Sequence, residues 1–301
     1  MTLNRVPAGN ATSVRACACE CGCVARQPCY PTDLTDAQWA VLESLLPVML
    51  CQTVLGGRPE KHHRRTIIDA LFYLVDNGIK WRALPKDFPP WRTVYGFCRR
   101  WRDDKVTTAL ADDLRAAIRR GLGRNAEPSA AIIDAQSVAE SAEGVVPAAS
   151  SGYDRHKHVN GRKRHLLVDT LGLLIGVVVT PANTQDRDAA VRLIRNARAR
   201  GRRLLQLIWA DGAYHGDWAS WALRALGIVI QIVRRCDDTA GFKILPRRWV
   251  VERTNAWITR RRRCARDYER LPSQHAAMVE WAAILMMTRR LARITPATTE
   301  D

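Results

Sequence analysis

Residues 130–138, AAIIDAQSV, decide the fold, because a run of small and aliphatic residues is broken there by a carboxylate at Asp134. Upstream, apolar residues recur at helical spacing. From Ala130 onward they come in short Val-, Ile- and Leu-rich runs bounded by Gly, Asn or Pro, the pattern of buried strands. Four further runs follow: RHLLVDT (164–170), LLIGVVVT (173–180), LLQLIWAD (204–211) and IVIQIVRR (228–235). Thr170-Leu171-Gly172 joins the second and third runs as an antiparallel hairpin. The Arg-laced segment 186–200 opens on acidic residues and predicts a crossover helix, and 216–227 predicts another before the fifth strand. WVVERTNAWITRRRR (249–263) and HAAMVEWAAILMMTRRLARI (275–294) read as closing helices.

On the N-terminal side, TDLTDAQWAVLESLLP (32–47) offers Thr35 or Asp36 as helix cap, Trp39, Leu42, Leu45 and Leu46 as a buried face, and Pro47 as a stop. After a turn at Gly56 and Gly57, residues 64–84 predict a second helix with Ile67, Ile68, Leu71, Phe72 and Leu74 inside, ended by Asn77-Gly78. Third and fourth helices are predicted in 89–104 and 105–122. This helical part suits a helix-turn-helix that turns Arg92, Arg99, Arg100 and Arg102 to phosphates, or else simply carries a solvated Arg-rich face.

Lys plus Arg is 47 against 30 Asp plus Glu in 301 residues, a formal charge of +17 that calls for a polyanionic partner, nucleic acid before others. No apolar run approaches the roughly 18 residues of a membrane span. Five of nine cysteines, Cys17, Cys19, Cys21, Cys23 and Cys29, crowd the N-terminus in an alternating pattern that matches neither zinc nor disulfide spacing. With no apolar signal core beside them, we expect a disordered leader and a reducing, cytoplasmic setting. The domain plan is a leader (1–30), a helical domain suited to nucleic acid (31–125), a catalytic domain (126–295) and a disordered tail (296–301).

Asp134 has counterparts. Asp211 follows the apolar run LLQLIWA at a turn that Gly212 permits, and Glu252 lies in RRWVVERTNAW beside Val250, Val251 and Trp257, with Arg248, Arg253, Arg260, Arg261, Arg262 and Arg263 on the same predicted helix. Three strands, a helix, a strand, a helix, a strand and a helix, with acids on the first strand's end, after the fourth strand and on the late helix, form the plan of a ribonuclease-H-like fold. The expected architecture is therefore α/β: a mixed five-stranded sheet with flanking helices, preceded by a small all-α domain. Three such carboxylates can converge on two Mg2+ ions about 4 Å apart. The short interval from Asp211 to Glu252 leaves no room for a large insertion.

These residues resemble the bacterial insertion-sequence transposases of the DDE class, in the insertion-sequence-five group. The likeness spans roughly residues 30 to 290 and rests on LTDAQW, GRP, WRALP and WRTVYGFCRRW, then IIDAQSV, GRKRHLLVDTLGLL, QDRD, ADGAY, RRWVVERTNAW and DYER. It implies that Asp134, Asp211 and Glu252 are the catalytic, metal-binding triad, with two Mg2+ ions as cofactor and Mn2+ as a substitute. Arg248 matches the arginine of the family's tyrosine-arginine-glutamate-lysine signature, whereas Leu245 and Thr259 depart from its tyrosine and lysine. The resemblance also places GYDRHKHVNGRKRHLLVD near DNA. Its Arg155, Lys157, Arg162, Lys163 and Arg164, with His156, His158 and His165, then read as phosphate contacts, and Arg248, Arg253, Arg260 and Arg261 as basic residues that hold DNA beside the metal ions. Implied partners are double-stranded DNA, as element ends and target, and a second copy of the chain in a homodimeric synaptic complex, with no membrane and no small-molecule substrate; the implied setting is the bacterial nucleoid. The activity implied is cleavage at terminal inverted repeats followed by transfer of the 3′-OH to target DNA. A structure-selective nuclease of the same fold and a catalytically inactive or co-opted DNA-binding relic remain open alternatives.

Overall fold

A computed structural model describes residues 26–54, 56, 58–140, 145–233 and 248–294. Leu245, Gly57 and the cysteines of the leader before residue 26 lie outside them. Helix α1 (Asp36–Leu45) starts at a capping box in which Thr35 Oγ1 accepts from the Gln38 amide and the Gln38 side chain accepts from the Thr35 amide. In α2 (Arg64–Asn77) the buried set contains all five apolar residues expected, and Gly78 ends the helix at φ 68°. A Cβ on Gly78 would sit 2.8 Å from Arg262 Cβ, so the turn meets the C-terminal part of the chain. Helix α3 (Trp91–Asp103) buries Val94, Phe97, Cys98 and Trp101 along one stripe, and α4 (Val106–Gly121) follows it.

The sheet comprises β1 (Ala130–Ala139), β2 (Gly152–Asp154), β3 (Val159–Asp169), β4 (Leu174–Pro181), β5 (Leu207–Ala210) and β6 (Val229–Ile232). Strand β3 pairs antiparallel with β1 on one side and with β4 and then β2 on the other, while β1, β5 and β6 run parallel. The hairpin between β3 and β4 forms as expected: Gly172 takes φ 81°, and Asp169 Oδ1 accepts from the Leu171 and Leu173 amides. Helices α5 (Asp186–Ala199) and α6 (Trp218–Leu226) connect β4 to β5 and β5 to β6. Behind them come α7 (Trp249–Thr259), α8 (Arg262–Ala265) and α9 (Pro272–Ile294).

Four features differ from expectation. A sixth strand, β2, is present: Asp154 Oδ1 accepts from the His156 and Lys157 amides and turns the chain into β3, a signal carried by polar residues rather than by an apolar run. Asp134 lies in the middle of β1, not at its end, opposite Leu166 in the register. The Arg run does not continue α7; the helix stops at Thr259 because Arg261 is extended, at φ −79° and ψ 112°. Finally, Arg26, inside the span expected as leader, stacks 4.0 Å over the Phe88 ring and pairs with Asp33 and Asp87, so the folded chain starts before residue 31.

One apolar cluster packs α5 and α6 on one sheet face through Leu193, Ile194, Ile208 and Trp218. The cluster on the other face runs from Ile132 and Leu166 through α7 and α9 into Leu71, Phe72 and Leu114 of the N-terminal helices. Trp281 of α9 stands at its centre, 1% exposed, against Phe72 and Trp101. The helices thus form a rigid wall behind β1 and α7, which carry two of the three acids.

Candidate active site

Asp134, Asp211 and Glu252 all line one open cavity of about 1050 Å³. Asp134 projects from β1, where Ile132 and Ile133 are buried and the strand is pinned between β3 and β5. Its Oδ2 accepts a 2.8 Å hydrogen bond from Asn255 Nδ2 on α7. Burial, then the like charge of Asp211, push its carboxyl up to about 6 against the pull of Arg248 and Lys157. Asp211 follows β5 directly and caps the turn 212–214, where Oδ1 accepts from the Ala213 amide; this leaves Oδ2 for the cavity. Glu252 lies in the first turn of α7 with its side chain 51% exposed.

Arg248 joins the outer two acids. Its Nη2 lies 3.8 Å from Asp211 Oδ2 and 3.3 Å from Glu252 Oε1. Among the described residues no three His, Cys, Asp or Glu side chains are drawn together as a ready-made metal cluster. The donor chemistry nonetheless suits a hard cation: the carboxylates supply oxygen ligands, the charge of Asp211 helps to raise the Asp134 carboxyl, and Asn255 Oδ1 is buried without a partner beside Asp134. Asp134, Asp211 and Glu252 are the residues that would hold it. Asp154 and Asp186 also line the cavity but lie 3.8 Å and 3.0 Å from the Lys163 ammonium.

Of the basic residues expected at DNA, Lys157, Lys163, Arg248 and Arg260 line this cavity together with His156. Lys157 Nζ is steered by a hydrogen bond to the Ala135 carbonyl, next to Asp134. Arg92, Arg99 and Arg100 are exposed on α3 and are not part of the cavity. Arg253 is held between the rings of Trp249 and Trp257, 4.4 and 4.5 Å from their centroids, and Arg261 pairs with Asp76 of α2; neither lines the cavity.

Arg162 and Arg164, expected at DNA, are instead buried. Arg162 is 0% exposed and donates to Asp267, to Ser150 and to the Glu269 and Arg270 carbonyls; Arg164 is 1% exposed and donates to Gln136, Thr259 and the Cys264 carbonyl. Both bolt β3 to the chain that follows α7, so they are internal ties and not phosphate contacts. His165 is likewise buried, bonded to Thr180 Oγ1 at 3.0 Å, and kept neutral because burial and then Lys163 and Lys157 hold its pKa down at about 3. Thr259, at the lysine position of the signature, receives Arg164 Nη2 at 2.7 Å. Asn255, Gln136, Asp154 and Asp186 also line the cavity, though none was expected there; each lies inside a motif of the family resemblance, RRWVVERTNAW, IIDAQSV, GYDRHKHVNGRKRHLLVD and QDRD in turn.

A mixed sheet with three strands antiparallel at one side and three parallel at the other, with acids on the central strand, after its parallel neighbour and on a following helix, defines a ribonuclease-H-like domain. Comparison with known proteins narrows this class. Residues 125–287, more than half the chain, match the family described as "Transposase DDE domain", and residues 34–111 match "Putative transposase of IS4/5 family". The chain belongs to the DDE transposase family. It is 30% identical over 139 residues to the "Putative transposase for insertion sequence element IS402" of Burkholderia cepacia, a match that takes in 44% of this chain and 65% of that relative, less than two thirds of its length.

Proposed function

We propose that this protein is a DNA transposase that binds the terminal inverted repeats of its own insertion sequence, cleaves the ends by hydrolysis and transfers the exposed 3′-OH to target DNA. The observation that carries this is the joint lining of one cavity by Asp134, Asp211 and Glu252 with Lys157, Lys163, Arg248 and Arg260 around them, in a chain of this family. When bound there, two Mg2+ ions, or Mn2+ in their place, supply Lewis-acid activation at both the attacking and the leaving oxygen of an in-line displacement.

The chain's own part is to bind and orient. Lys157, Arg260 and His156 offer donors to the phosphates on either side of the scissile bond. Arg248 neutralises Asp211 and Glu252 before substrate enters and is placed to turn to a phosphate when it does. Arg92, Arg99 and Arg100 give α3 an exposed basic face for duplex held outside the cavity, in keeping with end recognition by the span 31–125 and chemistry by the span 126–295. Two ends joined in concert call for a homodimer. Among the described residues no helix is long and apolar enough to cross a membrane.

The test is cleavage and joining of a labelled duplex carrying the inverted repeat that flanks the gene, with Mg2+, by the intact protein and by Asp134→Ala, Asp211→Ala and Glu252→Ala. Joining by the intact protein with three variants that bind and do not react supports the reading. Cleavage without joining under all conditions points to a nuclease, and binding without either reaction points to a relic.

A further inference from the structure

Asn255 lines the cavity and is not one of the triad. Asn255 is 6% exposed and sits on α7 three residues after Glu252, hence on nearly the same helix face. Its Nδ2 donates to Asp134 Oδ2 at 2.8 Å, while its Oδ1 is shielded from solvent and accepts nothing. A buried amide oxygen left unsatisfied costs about 1–3 kcal/mol, and an apolar side chain of the same size would avoid that cost. Packing therefore does not account for an amide here.

The neighbours fix the backbone that carries the amide. The Asn255 backbone carbonyl accepts the Thr259 hydroxyl at 2.8 Å, Thr259 Oγ1 accepts Arg164, and Arg164 also grips Gln136, two residues beyond Asp134 on β1. This loop of contacts runs from β1 through β3 to α7 and back, so Asn255 meets Asp134 with both backbones fixed.

We infer that Asn255 is the positioning residue of the divalent-cation site: its amide N–H fixes one oxygen of Asp134 so that the other is left for the cavity. The inference rests on the proposed role of the triad as cation ligands. Hydrogen bonds that orient a ligating carboxylate are worth about 10–100-fold in metal affinity.

The experiment measures Mn2+ binding by full-length protein from the resonance signal of the free ion, with metal-free thermal melting alongside, for the wild type, Asn255→Leu, Asn255→Gln and Asp134→Ala. Asn255→Leu is expected to melt within a few degrees of the wild-type temperature without metal, because relief of the orphaned Oδ1 offsets the donor lost to Asp134, yet to need about tenfold or more Mn2+ for half-saturation. Asn255→Gln, which keeps the amide on a longer stem, is expected to fall between. If Asp134→Ala loses Mn2+ while Asn255→Leu binds it like wild type, the positioning role is wrong and the triad survives. If Asp134→Ala binds Mn2+ like wild type, the cation reading fails and the role of Asn255 fails with it. A metal-free melt of Asn255→Leu far below wild type would make Asn255 a packing residue and would also overturn the inference.

Discussion

Arg162→Met should damage the fold and not the DNA contact, the opposite of what its place in a basic, DNA-facing motif suggests. Arg162 is fully buried, and its guanidinium meets Asp267 Oδ2 at 3.0 Å, the Glu269 and Arg270 carbonyls at 2.8 Å each, and Ser150 through its carbonyl and hydroxyl. Methionine keeps much of the length and removes every donor. Asp267, itself 0% exposed, would lose a cation that helps His275 and the Glu269 amide hold its carboxyl below the usual range against the upward push of burial. Breaking a buried pair by removing one partner costs about 3–5 kcal/mol, which for a chain of this size lowers Tm by roughly 5–15 °C. Adding Asp267→Asn should recover about 1 kcal/mol or more, since it removes the stranded charge. The control is Arg260→Ala, exposed and on the cavity: its melt should match wild type within about a degree, while the salt dependence of duplex binding becomes shallower by about one phosphate contact. Calorimetric melts and binding titrations at several salt concentrations read both. An Arg162→Met protein that melts like wild type but binds duplex with a shallower salt slope would refute the assignment of Arg162 as an internal tie.

Other perturbations follow from the same contacts. Burial pushes the Asp69 carboxyl up to about 7, with the Leu34 amide pulling against it; the folded state keeps a proton the unfolded chain has lost, so stability falls as pH rises from about 4 to about 7 and is level above. Asp69→Asn should abolish that slope in melts across the range and raise stability above pH 7 by about 2–4 kcal/mol, an unchanged slope counting against it. Thr259→Lys would set a second cation against the Arg164 guanidinium and should lower Tm by several degrees, with Arg164→Gln restoring part of the loss in the double variant. Trp281→Ala should cost about 3–5 kcal/mol because it empties the centre of the shared core, and a smaller loss would show that α9 is not its keystone.

The strands were legible because burial on both faces demands continuous aliphatic runs, and LLIGVVVT and LLQLIWAD have them. Gly78 and Gly172, both at positive φ, marked their turns for a backbone reason. The three acids stood out as charges at the edges of such runs, and all of them line the cavity. Strand β2 was hidden because Gly152–Asp154 has no apolar face to alternate; its turn depends on hydrogen bonds from Asp154, which residue type alone does not reveal. The end of α7 was hidden because Arg has good helix propensity, and Arg261 leaves the helix in a setting of tertiary ties, its own to Asp76 and that of Arg263 to Glu269. Asn255 lay within the motif RRWVVERTNAW but had no role assigned, since an asparagine in an amphipathic helix is ordinary until its partner, 121 positions away, is known.

The arginines show why net charge misleads at the level of residues. Arg115, Arg119, Arg162, Arg164 and Arg263 are all buried, and each donates to a carboxylate or to a backbone carbonyl. A guanidinium is a planar fork of donors that stays charged when buried, so one side chain can satisfy several carbonyls where strands and helices end. Lysine, a point charge with stronger hydration, does this less well. Part of the +17 is therefore spent inside the fold, matched by Asp112, Asp169, Asp267 and Glu269, which are buried as well. A basic motif on a strand with both faces covered, as GRKRH is on β3, supplies ties of this kind. The field that a polyanion meets comes instead from the exposed remainder, which includes Lys157 and Arg260 at the cavity and Arg92, Arg99 and Arg100 on α3. The salt dependence of duplex binding should accordingly reflect this smaller set, and variants within it should reduce the slope while variants of the buried set reduce Tm.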